Sequence, residues 1–339
     1  MTTFSLPAPR LAGLVSALPA LQQSNAALAE RFGAETIAKI IAATGIETRP
    51  VATTETVGEL GTAAARRLLD RLDWPAETID LIVVVTQTPD YPMPATACVL
   101  QRSLGLGPHA AAFDLSLGCS GFVYGLSVVA ALLAAGAARR ALLVTGDITS
   151  RLIGADDRSL APLFGDAVTA TALEAGTDGA KIAFDLGTDG SGAPYLTCHA
   201  GGTVEPGAPR LFMDGTQVMA FSLKQVRPSI QRVMAEAGKA MTDVDHVVLH
   251  QANAMMLKVL GQKIGATPEQ LVVAVKDYGN TSSASIPLAL CDCLADAAGS
   301  KQLLLSGFGV GWSWASAWWE TPAPGVCEVV RGDVSTARE

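Results

Sequence analysis

The segment DLSLGCSGFVYG (114–125) sets one cysteine, Cys119, between Gly118 and the pair Ser120-Gly121, directly ahead of a long apolar run. A thiolate is a strong nucleophile, but a free thiol ionises near about pH 8.5 and is mostly protonated at neutral pH. A helix starting just after Cys119 would turn unsatisfied N–H groups and its positive dipole end toward the sulfur and favour the thiolate. The small neighbours leave the sulfur reachable and permit a tight backbone turn. Cys98, Cys198 and Cys327 are read instead as small buried hydrophobes, the common place of a free cysteine. Cys291 and Cys293 stand two apart on an expected helix and point in different directions. No second cysteine or histidine pair accompanies them at ligand spacing, so no metal site is expected. His109, His199 and His246 carry no expected function.

Positioning such a thiol needs a rigid frame, and the chain supplies one twice. The runs 79–88 and 140–148 are predicted buried strands, and between them lie the Cys119 segment and an apolar helix over 121–138. Later, 244–252 and 302–308 are predicted strands, and between them lie the loop GNTSSAS (279–285) and an apolar helix over 286–299. Cys119 precedes Val144 by 25 residues (144 − 119), and Asn280 precedes Leu304 by 24 (304 − 280). The match in order and spacing predicts two copies of one βα unit with their loops facing each other. EAGTDGA (174–180) is the turn-rich junction, which divides the chain into an N-terminal half, 1–177, and a C-terminal half, 178–339. A pseudo-twofold relation would bring Cys119 and Asn280 to equivalent places at the axis, and His250, ending its strand, would reach the same pocket.

With 339 residues, 49% hydrophobic and 17% charged, the chain can bury a large core. A net charge of −8 argues against a general affinity for nucleic acid. Six cysteines in a chain this long do not make a disulfide scaffold, which points to a reduced, cytoplasmic protein. The apolar stretch LAGLVSALPAL (11–21) lacks the basic flank and cleavage site of a signal peptide. The run 121–138 has membrane-span length, but its glycines, Tyr124 and Ser127, with strand-like runs on both sides, predict a helix buried in an α/β protein.

Four motifs carry a family likeness: Cys119 in DLSLGCSGFVYGL, His250 in HQANAMM, Asn280 in YGNTSSASIPLAL, and the closing FGVGWSWASA (308–317). Together they resemble β-ketoacyl-acyl-carrier-protein synthase III, the initiating condensing enzyme of bacterial fatty acid synthesis. TGIE (44–47), FGD (164–166) and MDG (213–215) extend the resemblance along nearly the whole chain. It implies the thiolase fold, an α/β architecture of duplicated βα halves in αβαβα layers, and a cytoplasmic homodimer. It also implies a decarboxylating Claisen condensation between an acyl group held on Cys119 and a malonyl thioester. In that reaction His250 and Asn280 would be the neutral donors to the thioester oxygen. The backbone N–H groups of Cys119 and Val310 would form the second oxyanion hole, and Met93, Arg158, Phe308 and Gly309 would contact substrate. Acyl carrier protein is the implied partner, with substrates carried on coenzyme A or on phosphopantetheine and no further cofactor. Trp312, Trp314, Trp318 and Trp319 are read as packing in a terminal strand.

The departures gather at the entrance. Where the family holds adenine between tryptophan and arginine, this chain has Lys39 and Ala43. Where it carries an arginine after HQAN, this chain has Met255. Val310 stands where glycine is usual, and Met93, in the proline-rich PDYPMPA (89–95), stands where phenylalanine often crosses the dimer. The same fold also hosts acyltransferases that move an acyl group from cysteine to an amine or alcohol without decarboxylation, and fold alone does not separate the two.

Overall fold

The computed structural model describes residues 2–176 and 179–332, so the junction at 177/178 lies outside the described residues. Two large sheets carry the architecture. The first runs, in spatial order, Val326–Arg331, Arg10–Leu18, Ala167–Glu174, Arg140–Asp147, Leu81–Val85 and Ala111–Leu115. The second runs Thr2–Pro7, Lys181–Thr188, Ser313–Pro322, Ser300–Gly309 and His246–Leu249. Strand for strand the orders correspond: a terminal strand, an antiparallel trio, then a parallel neighbour. Where the first sheet ends in Ala111–Leu115, the second has only a parallel bridge from Val247 to Leu271. Each sheet also borrows one strand from the opposite end of the chain. Thr2–Pro7 pairs with Lys181–Thr188, and Val326–Arg331 pairs with Arg10–Leu18.

Side-chain alternation sets the layers. Leu81, Val83 and Val85 face a central core shared with Phe122, Leu126, Ile286 and Leu290, while Ile82 and Val84 face an outer core with Leu60, Leu68 and Leu100. The helices Gly121–Ala134 and Ser285–Leu294 therefore lie between the sheets. Val57–Leu72 and Thr96–Ser103 cover the outside of one sheet, and Gly215–Ala237 and Ala254–Ile264 cover the other. Continuous apolar runs such as LIVVV suit strands covered on both faces. The central helix also sits very close to its sheet. A Cβ on Gly125 would lie 2.7 Å from Leu143 Cδ1, and one on Gly121 2.5 Å from Val85 Cγ1. The mixed α/β duplication is as the sequence predicts.

Several bounds shift. The strands expected over 79–88 and 244–252 shrink to Leu81–Val85 and His246–Leu249, and the helices expected over 121–138 and 286–299 end at Ala134 and Leu294. Gln251 explains one of these. Its side chain donates to Leu249 O and Val272 O and accepts from Ala274 N–H, replacing ladder bonds and ending the strand. Residues 11–18 of the apolar stretch near the start form a buried sheet strand. Among the described residues, no helix is long and apolar enough to cross a membrane, and no group of three or more His, Cys, Asp or Glu could hold a metal. Trp314, Trp318 and Trp319 lie in the strand Ser313–Pro322, while Trp312 sits in the preceding turn, stacked on Phe221 at 4.6 Å.

Candidate active site

Cys119 stands two residues before the central helix Gly121–Ala134, with only 8% of its surface exposed. Two glycines of the opposite sheet make room for it. A Cβ on Gly307 would lie 2.6 Å from Cys119 O, and one on Gly309 3.0 Å from Sγ. The backbone N–H groups of Cys119 and Val310 and the Ser282 side chain stand near the sulfur and favour its ionised form. Even so, burial pushes the thiol up to about 12, and the Asp147 carboxylate adds to the rise. The helix end was expected to favour the thiolate. Burial is the largest influence on the sulfur here and acts against the thiolate.

His250 is one residue past its strand and still donates its backbone N–H to Ser306 O at 2.8 Å. Its Nδ1 lies 2.7 Å from Ser285 Oγ, and Ser285 Oγ also accepts the Gln251 N–H. In the tautomer in which the serine hydroxyl donates to Nδ1, Nε2–H is the ring's donor. Burial depresses the imidazole to about 3, so the ring is neutral. The Phe308 ring meets it edge-on at 5.7 Å. Asn280 is fixed on both sides. Its backbone N–H donates to Leu163 O, its carbonyl accepts from Gly165 N–H, and its Oδ1 accepts from Ser282 N–H at 3.0 Å. With the oxygen used, the Nδ2 group remains to donate.

One cavity of about 150 Å³ is lined by Cys119, His250, Asn280, Phe308 and Gly309, with Met255 among its walls. The site thus unites three residues that are 131 and 30 positions apart (250 − 119 and 280 − 250). A neutral imidazole and a neutral amide, each tied so that an N–H remains free, facing a thiol flanked by two backbone N–H groups, can stabilise negative oxygen in two places. Met93 and Arg158 are not among the residues lining this cavity. Met93 is 82% exposed on the loop 89–95, whose Pro89, Asp90 and Pro92 border a separate groove, and Arg158 is exposed on a surface turn. Lys39 is exposed as well and pairs with Glu35 one turn away at 2.7 Å.

The match to known proteins agrees with this arrangement. Residues 113–190 match the family described as 3-oxoacyl-[acyl-carrier-protein] synthase III, and residues 234–321 match its C-terminal part. A β-ketoacyl-[acyl-carrier-protein] synthase III of Streptococcus pneumoniae is 36% identical over 283 residues, covering 80% of this chain and 87% of that protein. The chain belongs to the 3-oxoacyl-[acyl-carrier-protein] synthase III family. A crystal structure of a 3-oxoacyl-(acyl-carrier protein) synthase from Burkholderia xenovorans superposes with a TM-score of 0.93 at 38% identity, covering 97% of this chain and 98% of that one. The priming β-ketosynthase of the R1128 polyketide pathway superposes at 0.88 with 32% identity, covering 94% and 98%. The fold is therefore that of the thiolase-type synthase III enzymes, and the activity is acyl-transferring condensation.

Some features of this synthase III site escaped the sequence reading. Ser282 and Ser285, which touch Cys119, Asn280 and His250, lie in the quoted GNTSSAS loop but were given no role. Asp147, which closes the strand Arg140–Asp147 and is 1% exposed, was given no role either. Two cysteines also differ from expectation. Cys98 and Cys198 are exposed rather than buried, because one faces outward from its helix and the other ends a small edge hairpin, while Cys327 is half-buried.

Proposed function

We propose that Cys119 carries a primer acyl group and that His250 and Asn280 act on the malonyl thioester that extends it. The Cys119 thiolate attacks the primer thioester carbonyl, and the Cys119 and Val310 N–H groups hold the oxyanion while the donor thiolate leaves. Malonyl thioester then enters and loses carbon dioxide. The negative charge that develops on its thioester oxygen receives Nε2–H of His250 and Nδ2–H of Asn280. The resulting carbanion attacks the acyl-enzyme carbonyl, a C–C bond forms, the C–S bond to Cys119 breaks, and a 3-oxoacyl thioester departs. Phe308 and Gly309 wall the reacting centre. The observation carrying this reading is that both donors are neutral and fixed beside the thiol in one cavity. These steps use only the protein's groups and the thioesters, so we infer no further cofactor and no metal.

The same reading assigns acyl carrier protein as the partner that brings malonate, through its phosphopantetheine arm. It extends to the primer. An aromatic ring and a guanidinium can sandwich adenine, whereas Lys39 and Ala43 cannot. Stacking of this kind contributes about 1–3 kcal/mol per base. A carrier-protein arm has no adenine and loses nothing, so the primer arrives on carrier protein, or on coenzyme A selected by its acyl part. Arg158 and Lys39 remain available as point charges for phosphate. We read the assembly as a cytoplasmic homodimer in which Met93 of the partner subunit shapes the acyl pocket, with no affinity for nucleic acid or membrane. The test supplies the same acyl group on coenzyme A and on carrier protein, with malonyl-carrier protein as extender. Carbon dioxide and a 3-oxoacyl product are expected, with faster loading from carrier protein. Acyl transfer to an amine or alcohol without carbon dioxide would replace the condensation reading. A micromolar KM for acyl-coenzyme A with preference over carrier protein would remove the primer assignment.

A further inference from the structure

Ser120 stands where a serine ordinarily caps a helix. An N-cap hydroxyl accepts a backbone N–H from the first turn of its own helix. Ser120, one residue ahead of Gly121–Ala134, makes no such bond. Its fully buried side chain turns to the second sheet instead and lies 2.7 Å from Ser313 Oγ. Ser313 Oγ donates to Val310 O at 2.9 Å. A serine hydroxyl has one proton to give, so within the pair Ser120 is the donor. The bonds therefore run in one direction, from Ser120 to Ser313 to Val310 O. Cys119 adjoins one end of this chain, and the turn that carries the Val310 N–H forms the other.

That turn needs holding. Between Gly309 and Ser313 the backbone reverses with φ 69° at Gly311 and 48° at Trp312. A tryptophan rarely adopts positive φ, and such strain persists only where the surroundings enforce it. On one side the Trp312 ring stacks on Phe221 at 4.6 Å and on Tyr195 at 5.7 Å, and it fills space that a Cβ on Gly192 would occupy. On the other side Val310 O is held twice by Ser313, through its N–H and through its hydroxyl. The segment 119–120 lies close by: a Cβ on Gly307 would stand 2.7 Å from Ser120 Cα. The two donors assigned to the acyl oxyanion thus come from different halves of the chain, and the Ser120–Ser313 bond crosses between those halves beside them.

We propose that Ser120 and Ser313 are positioning residues for the oxyanion hole, holding the Val310 turn in register with Cys119 so that the two backbone N–H groups converge on one oxygen. Such donors act only within about 2.7–3.1 Å of the developing oxyanion. A turn strained at Trp312 and released from Ser120 would carry its N–H away from that point. The inference rests on Cys119 as acyl carrier and on the Cys119 and Val310 N–H groups as its oxyanion donors.

The test compares acylation of Cys119 by an acyl thioester with its alkylation by iodoacetamide, both followed by peptide mass spectrometry at one pH. Alkylation displaces iodide from a saturated carbon and forms no oxyanion, so it reports only the sulfur and its access. Ser120→Ala/Ser313→Ala removes both hydroxyls at once and leaves neither buried without its partner, so thermal unfolding should stay close to the parent's. Its ratio of acylation to alkylation rate should fall about 10- to 100-fold, with the loss in kcat rather than KM. Ser120→Ala leaves Ser313 on Val310 O and should lose about 2- to 10-fold, the worth of one neutral hydrogen bond. It keeps the test intact if the double variant does not fold. A folded double variant with the parent's ratio would overturn the proposal. So would acylation and alkylation falling together, which would place the effect on the sulfur rather than on the oxyanion. Loss of folding in both variants would make the chain of hydroxyls structural and overturn it as well. A parent protein that is alkylated on Cys119 but takes up no acyl group there would remove the acyl-carrier assignment itself, and this inference with it.

Discussion

Asn280 and His250 can serve a developing oxyanion because neither has to gain or lose a proton to do it. Removing one such donor costs about 2.7–4 kcal/mol, or about 10² to 10³ in rate. Asn280→Ala should therefore load Cys119 at close to the parent rate and condense about 10² to 10³ more slowly, read by separate assays of loading and carbon dioxide release. Equal loss in both would contradict the division of labour. His250 gives a matching pH expectation. Burial depresses its folded pKa to about 3, so the neutral donor is present above that value and is lost only as pH falls through it. Decarboxylation by pre-acylated protein should stay nearly level from about pH 8 down to about pH 5. A fall centred near about pH 6.5, the ordinary imidazole value, would show that His250 titrates in the cycle.

At the scale of elements, the site depends on how closely two backbones approach. Gly309 has extended backbone (φ 162°), but a Cβ there would stand 2.9 Å from Cys119 Cβ and 3.0 Å from its sulfur, so Cys119 must shift to admit it. Gly309→Ala should lose about 1–3 kcal/mol of stability through this overpacking and load its acyl group about 10²-fold more slowly, since displacements near 1 Å at a reacting centre cost about that much. Unchanged loading would mean that substrate reaches sulfur from another side. Arg49 supports the other half of the site. Buried at 3% exposure, it donates to Asn25 Oδ1, Gln23 Oε1 and Phe164 O, next to the Phe164–Asn280 bridge. Arg49→Leu should destabilise the protein by about 1–3 kcal/mol in denaturant unfolding, because it leaves the buried Asn25 Oδ1 and Phe164 O without their donor. The strands and central helices were legible because apolar runs of helix and strand length bracket them. Ends were less so. The Gln251 side chain stops one strand through bonds to residues 272 and 274, which no local pattern reveals. Likewise Cys119, His250 and Asn280 were readable from motif and duplication, whereas the rise in the thiol's pKa depends on closure by Gly307, Gly309 and Asp147 from distant strands.

At the scale of the molecule, Cys119 and Asn280 stand just ahead of the two central helices while His250 follows the end of a strand, and the crossed terminal strands tie the halves together. Met93 and Tyr91 remain exposed on the loop 89–95, at 82% and 55%, where a second copy would cover them. Sedimentation should show a dimer, and Met93→Phe should shift acyl chain-length preference toward shorter primers. An unchanged preference would remove Met93 from the pocket. The most direct test of the whole account is a single turnover of protein pre-acylated on Cys119 and mixed with malonyl-carrier protein, followed by intact mass and carbon dioxide. The account predicts that the acyl mass leaves Cys119 in step with one equivalent of carbon dioxide and one of 3-oxoacyl-carrier protein. Departure of the acyl group without carbon dioxide, or an acyl mass retained on a Cys119→Ala variant, would contradict it.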